Sequence, residues 1–366
     1  MRVAQLGERR FLESLLRPWT SPASLSSAGR VLVGPGDDCA LVERRAGTAW
    51  LVTTDQLIEG THFEWSWSSP SQLGRRAGAV TLSDIAAMGG VPRYLLVSLG
   101  LPPGIDASVV IRFYGGLRRL LARHGVQLIG GDTAAAARFH AVMVAIGEVE
   151  PTLAVTRSGA RPGDCIMVTG SLGDAAAGLQ LLRRAGRRRA ARKTARALIR
   201  RQLEPAPRLE AGRALAQRRL ATAMLDLSDG LMIDLDRLCR ASGVGATLYA
   251  EQLPLSPSLV AYGQTTRQDP LRFALAGGED YELLFTVRPA AAARCARLLR
   301  QWRLSCRLIG VITRAATDRR SAMRAPDRAA ITVLSAGRLH PLRSFAAARR
   351  IHGFEHFRMP TAGGRA

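Results

Sequence analysis

Carboxylates punctuate this chain where a purely structural protein would have little use for them. They are Asp37 and Asp38 in GPGDD, Asp55 closing LVTTD, Asp84 inside TLSDIAAMGG, Asp132 in LIGGDT, and Asp226 with Asp229 in LDLSDGL. Asp84 is the most telling, because its helical neighbours at three and four residues are Val80, Thr81, Ala87 and Met88, an apolar or weakly polar face. A carboxylate on such a face loses hydration unless a cation or hydrogen-bond donors replace the water, and no nearby Lys or Arg is expected there. Asp55 and Asp132 each read as the end of an apolar strand, with Thr53 and Thr54 or Gly130 and Gly131 adjoining. Oxygen-only ligand sets of this kind select hard cations, and beside phosphate chemistry they point to several Mg²⁺ ions.

The elements around Asp226 show how such groups would be positioned. Ala223, Met224 and Leu225 end a buried strand, Gly230 closes a turn, and Leu231, Leu235 and Leu238 recur at helical spacing up to Ser242-Gly243. A strand-to-helix junction offers free backbone N–H groups beside Ser228 and two carboxylates, which suits a magnesium ion carrying phosphates. The competing reading is a capped helix, with Asp226 or Ser228 as its N-cap. Paired glycines at Gly34/Gly36, Gly89-Gly90, Gly130-Gly131 and Gly277-Gly278 would let backbone N–H groups approach phosphate oxygens. No segment matches G-x-x-x-x-G-K-[ST] or G-x-G-x-x-G, so neither a P-loop nor a Rossmann turn is expected.

Along the chain, residues 8–17 read as a short amphipathic helix, followed by a Ser-rich linker to Gly29. Strands are expected at VLV, CALVE and AWLVTTD, helices at 71–88 and 107–124, and strands at 94–101, 126–129 and 141–149. A break falls at Glu150-Pro151. The second half contains the strand CIMVTG, a basic helical stretch at 183–201 read as a solvated face, the junction at Asp226, the segment FALAGGEDYELLFTV, a helix at 290–301 and a strand at 306–312. Helices and strands alternate without strict βαβ regularity, which indicates an α+β fold.

Composition narrows the function classes. With 366 residues and 47% hydrophobic content the chain can bury a full core, and its length suggests two domains. The net charge of +23 invites a nucleic-acid reading, yet Lys193 is the sole lysine among 52 basic residues and aromatics make up 5%, too few for stacking platforms. The basic surface is expected instead to attract anionic substrates such as nucleotides. Neither a signal peptide nor an apolar run of about 18 residues is found, so a cytoplasmic protein without a membrane partner is expected. Cys39, Cys165, Cys239, Cys295 and Cys306 are scattered without C-x-x-C spacing, indicating neither zinc nor disulfides.

The segments GPGDDCALV, LVTTDQLIEGTHF, AVTLSDIAAMGG, LIGGDT, TRSGARPGD, LDLSDGL, GGEDYELLF and GFEHF, in this order, resemble the thiamine-monophosphate kinase family within the aminoimidazole-ribonucleotide synthetase-like ATP-binding superfamily. The resemblance implies two domains, a dimerising N-terminal α/β domain and a C-terminal α+β domain. Residues 1–29 would be a helix and linker, 30–150 the ATP- and Mg²⁺-binding domain, 151–345 the second domain with a basic insert at 183–201, and 346–366 a tail. It further implies a homodimer and transfer of the ATP γ-phosphoryl group to thiamine monophosphate. Position by position, Asp37, Thr53, Thr54, Asp55, Asp84, Asp132, Asp226 and Asp229 would share the magnesium ions, with Asp55, Asp84, Asp132, Asp226 and Asp229 central to catalysis. Tyr114, Gly131, Asp132, Arg157 and Ser228 would contact ATP, while His62, Glu279 and Phe354 would face thiamine monophosphate. Ala134 to Ala137 follow LIGGDT where the family usually carries Thr or Ser and often Arg, so that loop offers fewer side-chain contacts. A cysteine beside a Lys-bearing Gly-rich loop near the N-terminus, or a cysteine at the very C-terminus, would mark other superfamily chemistries, and neither is present.

Overall fold

The structure, a computed structural model, describes residues 30–44, 47–185, 193–315 and 330–349, together with Leu15 and Ile351. The expected helix at 8–17 and the tail residues His352, Phe354, His356 and Phe357 therefore lie outside the described residues, Leu15 excepted.

Two mixed sheets organise the chain. The first contains β1 (Val31–Val33), β2 (Ala40–Glu43), β3 (Ala49–Ile58), β4 (Val91–Leu101), β5 (Gln127–Ala135) and β6 (His140–Val149) in the order β1-β2-β3-β6-β4-β5. Among the described strands of this sheet, only β4 and β5 pair in parallel. Helices α1 (Pro70–Ala87) and α2 (Ala107–His124) cover one face. Local chemistry fixes their ends: Ser69 and Gln72 form a capping box ahead of Pro70, Asp106 caps α2, and Gly125 stops it in the left-handed region.

The second sheet contains β7 (Cys165–Thr169), β8 (Ala221–Asp226), β9 (Val244–Tyr249), β10 (Leu283–Val287), β11 (Cys306–Arg314), β12 (Ile331–Ser335) and β13 (Arg338–Pro341) in the order β13-β12-β9-β11-β7-β10-β8. Its helices are α3 (Asp174–Ala185), α4 (Lys193–Leu203), α5 (Leu209–Gln217), α6 (Leu231–Ser242), α7 (Pro257–Thr266), α8 (Pro270–Ala276), α9 (Pro289–Leu299) and α10 (Leu342–Ala348). No described helix is long and apolar enough to cross a membrane.

Strand alternation divides the interior. On the second sheet Leu225, Leu284 and Ile309 face a cluster with Leu235 and Leu238 of α6 and Phe345 of α10. The neighbouring positions Met224 and Phe285 join a different cluster, continuous with Leu51, Ile85 and Met143 of the first sheet layer through Leu215 of α5. Helix α1 is the hinge pin of this packing, touching β3 and β6 on one side and α5 and β8 on the other.

The sequence places Asp55 and Asp132 at strand ends, and the structure corrects this. β3 runs three residues past Asp55 and β5 three past Asp132, so both lie inside strands. Their flanking Thr and Gly residues resemble turn punctuation, but cross-strand pairing carries the ladder through them. The basic stretch is also less solvated than expected, since Leu198 and Ile199 of α4 are buried in apolar clusters.

Gly212 lets α5 lie directly on α1: a Cβ there would fall 2.0 Å from the Ala86 carbonyl oxygen. Overpacking of this kind commonly costs about 1–3 kcal/mol. Gly212→Ala should therefore lower the melting temperature and, because α1 carries Asp84, depress activity beyond what instability explains; thermal melts and turnover measured well below the melting point check both.

Candidate active site

Three carboxylates from three elements converge where the two sheets meet. Asp38, just before β2, Asp84, near the C-terminal end of α1, and Asp226, the last residue of β8, each bring one oxygen within 4.8 Å of the others. The Oδ2 atoms of Asp38 and Asp226 are buried without any hydrogen-bond partner. Orphaned carboxylate oxygens are costly, and a hard cation is the partner that an all-oxygen set accommodates best. The residues present thus fit magnesium.

The electrostatics agree with that geometry. Burial lifts Asp38 to about 7 against the pull of Arg157, and Asp226 to about 6. Burial also raises Asp55 to about 7, helped by the nearby charge of Asp229. Asp84 is pushed well above the usual carboxylate range by burial and by Asp55 and Asp226, although the Thr53 hydroxyl donates to its Oδ2 and works the other way.

Asp37 is a different matter from its neighbour. Its carboxylate accepts from the backbone N–H of Arg157 at 3.0 Å and from that of Asp38, whereas Asp38 Oδ1 takes the Arg157 guanidinium at 2.6 Å. The group of converging oxygens therefore contains Asp38 and not Asp37. Both aspartates bond Arg157, Asp37 through its backbone N–H and Asp38 through its guanidinium, and Asp38 is the more deeply buried of the two.

Parity on the strands separates two further candidates. Thr53 and Asp55 share the β3 face that α1 covers, while Thr54 projects to the opposite side and is exposed. Asp132 shares a register row with Ser98, Val142 and Gln56, so it too lies on the open face. It stands three strand spacings from β3, about 14 Å. Gly131 sits beside it on the exposed edge strand, and Tyr114 is half-buried on α2 with its ring edge-on to Phe113. Within one chain these three residues are not brought to the carboxylate group.

The turn after β8 departs from the capped-helix reading. The N-cap of α6 is Gly230, and neither Asp226 nor Ser228 caps it. Instead Asp234 reaches back from the first turn to accept the N–H groups of Asp229 and Gly230, each at 3.0 Å, and Arg237 bridges Asp234 and Asp229. The GGEDYE loop is strapped to this turn: Glu279 N–H donates to the Ser228 carbonyl at 2.8 Å, Tyr281 N–H to Leu227 at 2.9 Å, and Leu227 N–H to Glu282 at 2.9 Å. Gly278 permits the approach, since a Cβ there would lie 2.4 Å from the Ser228 oxygen.

His62 and Glu279 come together across the cleft through residues that motif reading passed over. Arg76 of α1 donates to the His62 carbonyl at 2.9 Å and to the Glu279 carboxylate, whose other oxygen accepts from Gln202 of α4. The His62 Nδ1 accepts from the Ile58 N–H at 3.0 Å, which leaves the proton of the neutral ring on Nε2. Arg76, Val80 and Asp84 form an i, i+4 row, with Arg76 two turns from Asp84 and bonded to His62 and Glu279 instead of to that carboxylate. Beneath the loop, burial would raise Glu282, but the guanidiniums of Arg208 and Arg201 outweigh it and hold it at about 2. The end of the basic stretch is thus part of the interior.

Comparison with known proteins adds the class. The family model "AIR synthase related protein, N-terminal domain" matches residues 36–159, and its C-terminal counterpart matches residues 161–321, so the carboxylate group draws Asp38 and Asp84 from one and Asp226 from the other. The thiamine-monophosphate kinase of Escherichia coli (strain K12) is 43% identical over 263 residues, covering 72% of this chain and 78% of that protein. The thiamine-monophosphate kinase of Aquifex aeolicus (strain VF5) is 37% identical over 286 residues, covering 78% and 87%. The solved AaThiL complex with AMPPCP and TMP superposes with a TM-score of 0.78 at 31% identity, covering 97% of this chain and 99% of that chain. The chain belongs to the thiamine-monophosphate kinase family.

The raised carboxylates give a pH signature. A carboxyl whose folded pKa lies above its unfolded value of 3.8 contributes stability at low pH and loses it as the pH rises through the folded value. Stripped of divalent cations, the protein should lose thermal stability as the pH climbs from about 5 to about 8, and Mg²⁺ should restore most of it at the upper end. Melting curves in EDTA and in MgCl₂ across that window check this, and a flat metal-free profile would contradict it.

Proposed function

We propose that this chain transfers the γ-phosphoryl group of ATP in line to thiamine monophosphate, giving thiamine diphosphate and ADP. The observation that carries the reading is the group of Asp38, Asp84 and Asp226, with two buried oxygens that lack partners, at the junction of two sheets in a chain of this family. The acceptor phosphate has a second pKa near about 6 and arrives largely ionised, so no general base is required. The obstacle is repulsion between two polyanions, and the site must hold them in line while the charge on the transferring group is neutralised.

Asp38, Asp55, Asp84 and Asp226 would hold magnesium, with Asp229 at the rim, and bound magnesium would supply the neutralising charge. Arg157 and Ser228 border this group and suit contacts to ATP. His62 and Glu279 would face the acceptor, and Phe354, outside the described residues, is assigned to it by the family resemblance alone.

Thr54 and Asp132 make sense in a homodimer. The sheet face opposite α1 and α2 carries Val52, Leu96, Val142, Val144 and Ile146, all half-exposed, and Leu128 and Ile129 on edge strand β5 are 46% and 52% exposed. A second copy packed on this face would cover that apolar surface and bring the partner subunit's Asp132 toward the strand that carries Thr54 and Asp55.

Incubation with ATP, Mg²⁺ and thiamine monophosphate should yield ADP and thiamine diphosphate in equal amounts; ATP consumption without the diphosphate would reject the reading. Asp84→Asn and Asp38→Asn should each lower kcat by about a hundredfold or more, as loss of an electrostatic stabiliser does, with Asp37→Asn milder. Val144→Arg should shift the protein from dimer to monomer in sedimentation velocity and cut activity with it.

A further inference from the structure

We infer that Arg76 is the positioning residue of the acceptor half of the site, setting the spacing and orientation of His62 and Glu279; this rests on the reading of those two residues as acceptor contacts. Arg76 is 2% exposed, yet its guanidinium spends its two terminal nitrogens on groups from opposite sides of the cleft. One nitrogen holds the His62 carbonyl in the turn after β3, and the other holds the Glu279 carboxylate in the loop before β10. A planar fork fixes two acceptors at a defined separation, which a flexible ammonium does not.

Glu279 needs that restraint. Its backbone sits at φ +66, and Tyr281 at φ +49, both in the left-handed region that side chains other than glycine avoid. Gln202, also 2% exposed, takes the second carboxylate oxygen from α4, so the side chain is gripped from both domains. Each oxygen keeps a lone pair for an N–H donor of the acceptor, such as the amino group of the pyrimidine. Arg76 also balances the Glu279 charge, so the loop offers acceptor oxygens without adding net negative charge opposite an incoming phosphate.

Helix α1 then ties the two halves of the reaction together. Arg76 and Asp84 are eight residues apart on one rigid helix, about 12 Å along its axis, so the anchor for the acceptor and the carboxylate group cannot drift independently.

A double-mutant cycle on steady-state kinetics tests this. Arg76→Met should raise the KM for thiamine monophosphate by about tenfold while the KM for ATP changes less than about twofold. In a Glu279→Gln background the same change should cost less than it does in the wild type, because only the part that acts through His62 remains. Arg76→Lys, which keeps the charge without the fork, should fall between wild type and Arg76→Met, and it decides the matter should Arg76→Met not fold. Additive effects in the cycle, equal rises in both KM values, or an unchanged acceptor KM in Arg76→Lys would overturn the assignment. An unchanged acceptor KM in Glu279→Gln alone would instead reject the acceptor reading of that residue.

Discussion

The structure is governed by one costly arrangement, the gathering of ionisable carboxyls in a place largely closed to water. At a separation of about 4.8 Å and an effective dielectric near 20, each like-charged pair repels by about 3–4 kcal/mol. Nothing in an apolar core offsets that. The surroundings of Asp38, Asp84 and Asp226 respond accordingly: a hydroxyl from Thr53, a guanidinium from Arg157, and oxygens left open for a cation. A protein selected only for stability would have removed the cluster; this one has built two sheets around it.

The same requirement explains the loops. LSDG and GGEDYE are far apart in sequence but are strapped together by backbone hydrogen bonds, with Asp234 and Arg237 fixing the first and Arg76 and Gln202 the second. Charged groups that would drift apart by repulsion are instead held by neighbours with few degrees of freedom. In family terms the phosphoryl donor and acceptor are both anions, so rigidity here does the work that attraction cannot.

How much of this was legible in the sequence depends on the range of the deciding interaction. Asp84 and Asp226 could be singled out because their local patterns, an apolar helical face and a strand-to-helix turn, are set by residues within one or two turns. The difference between Asp37 and Asp38 could not, since both bond Arg157, some 120 residues away. That Thr54 and Asp132 face away from the carboxylate group within one chain was not legible, because motif reading takes no account of which face of a sheet a residue occupies, and the strands around Asp55 and Asp132 run on past their expected ends. Arg76 and Gln202 carried no motif at all; their meaning comes from Glu279, 203 and 77 residues downstream.

The apolar cluster that runs from Leu51 through Ile85 and Leu215 to Met224 and Phe285 has a bearing on how such a chain can change. Two segments that family models treat as separate domains share a single interior, with α1 sealed between them. They are therefore not interchangeable parts. A half transplanted from a distant relative would arrive with the wrong knobs for α1, and a substitution at Ile85 or Leu215 would be felt on both sides of the seam. Swinging one half away from the other would carry the cost of exposing that common apolar cluster to water.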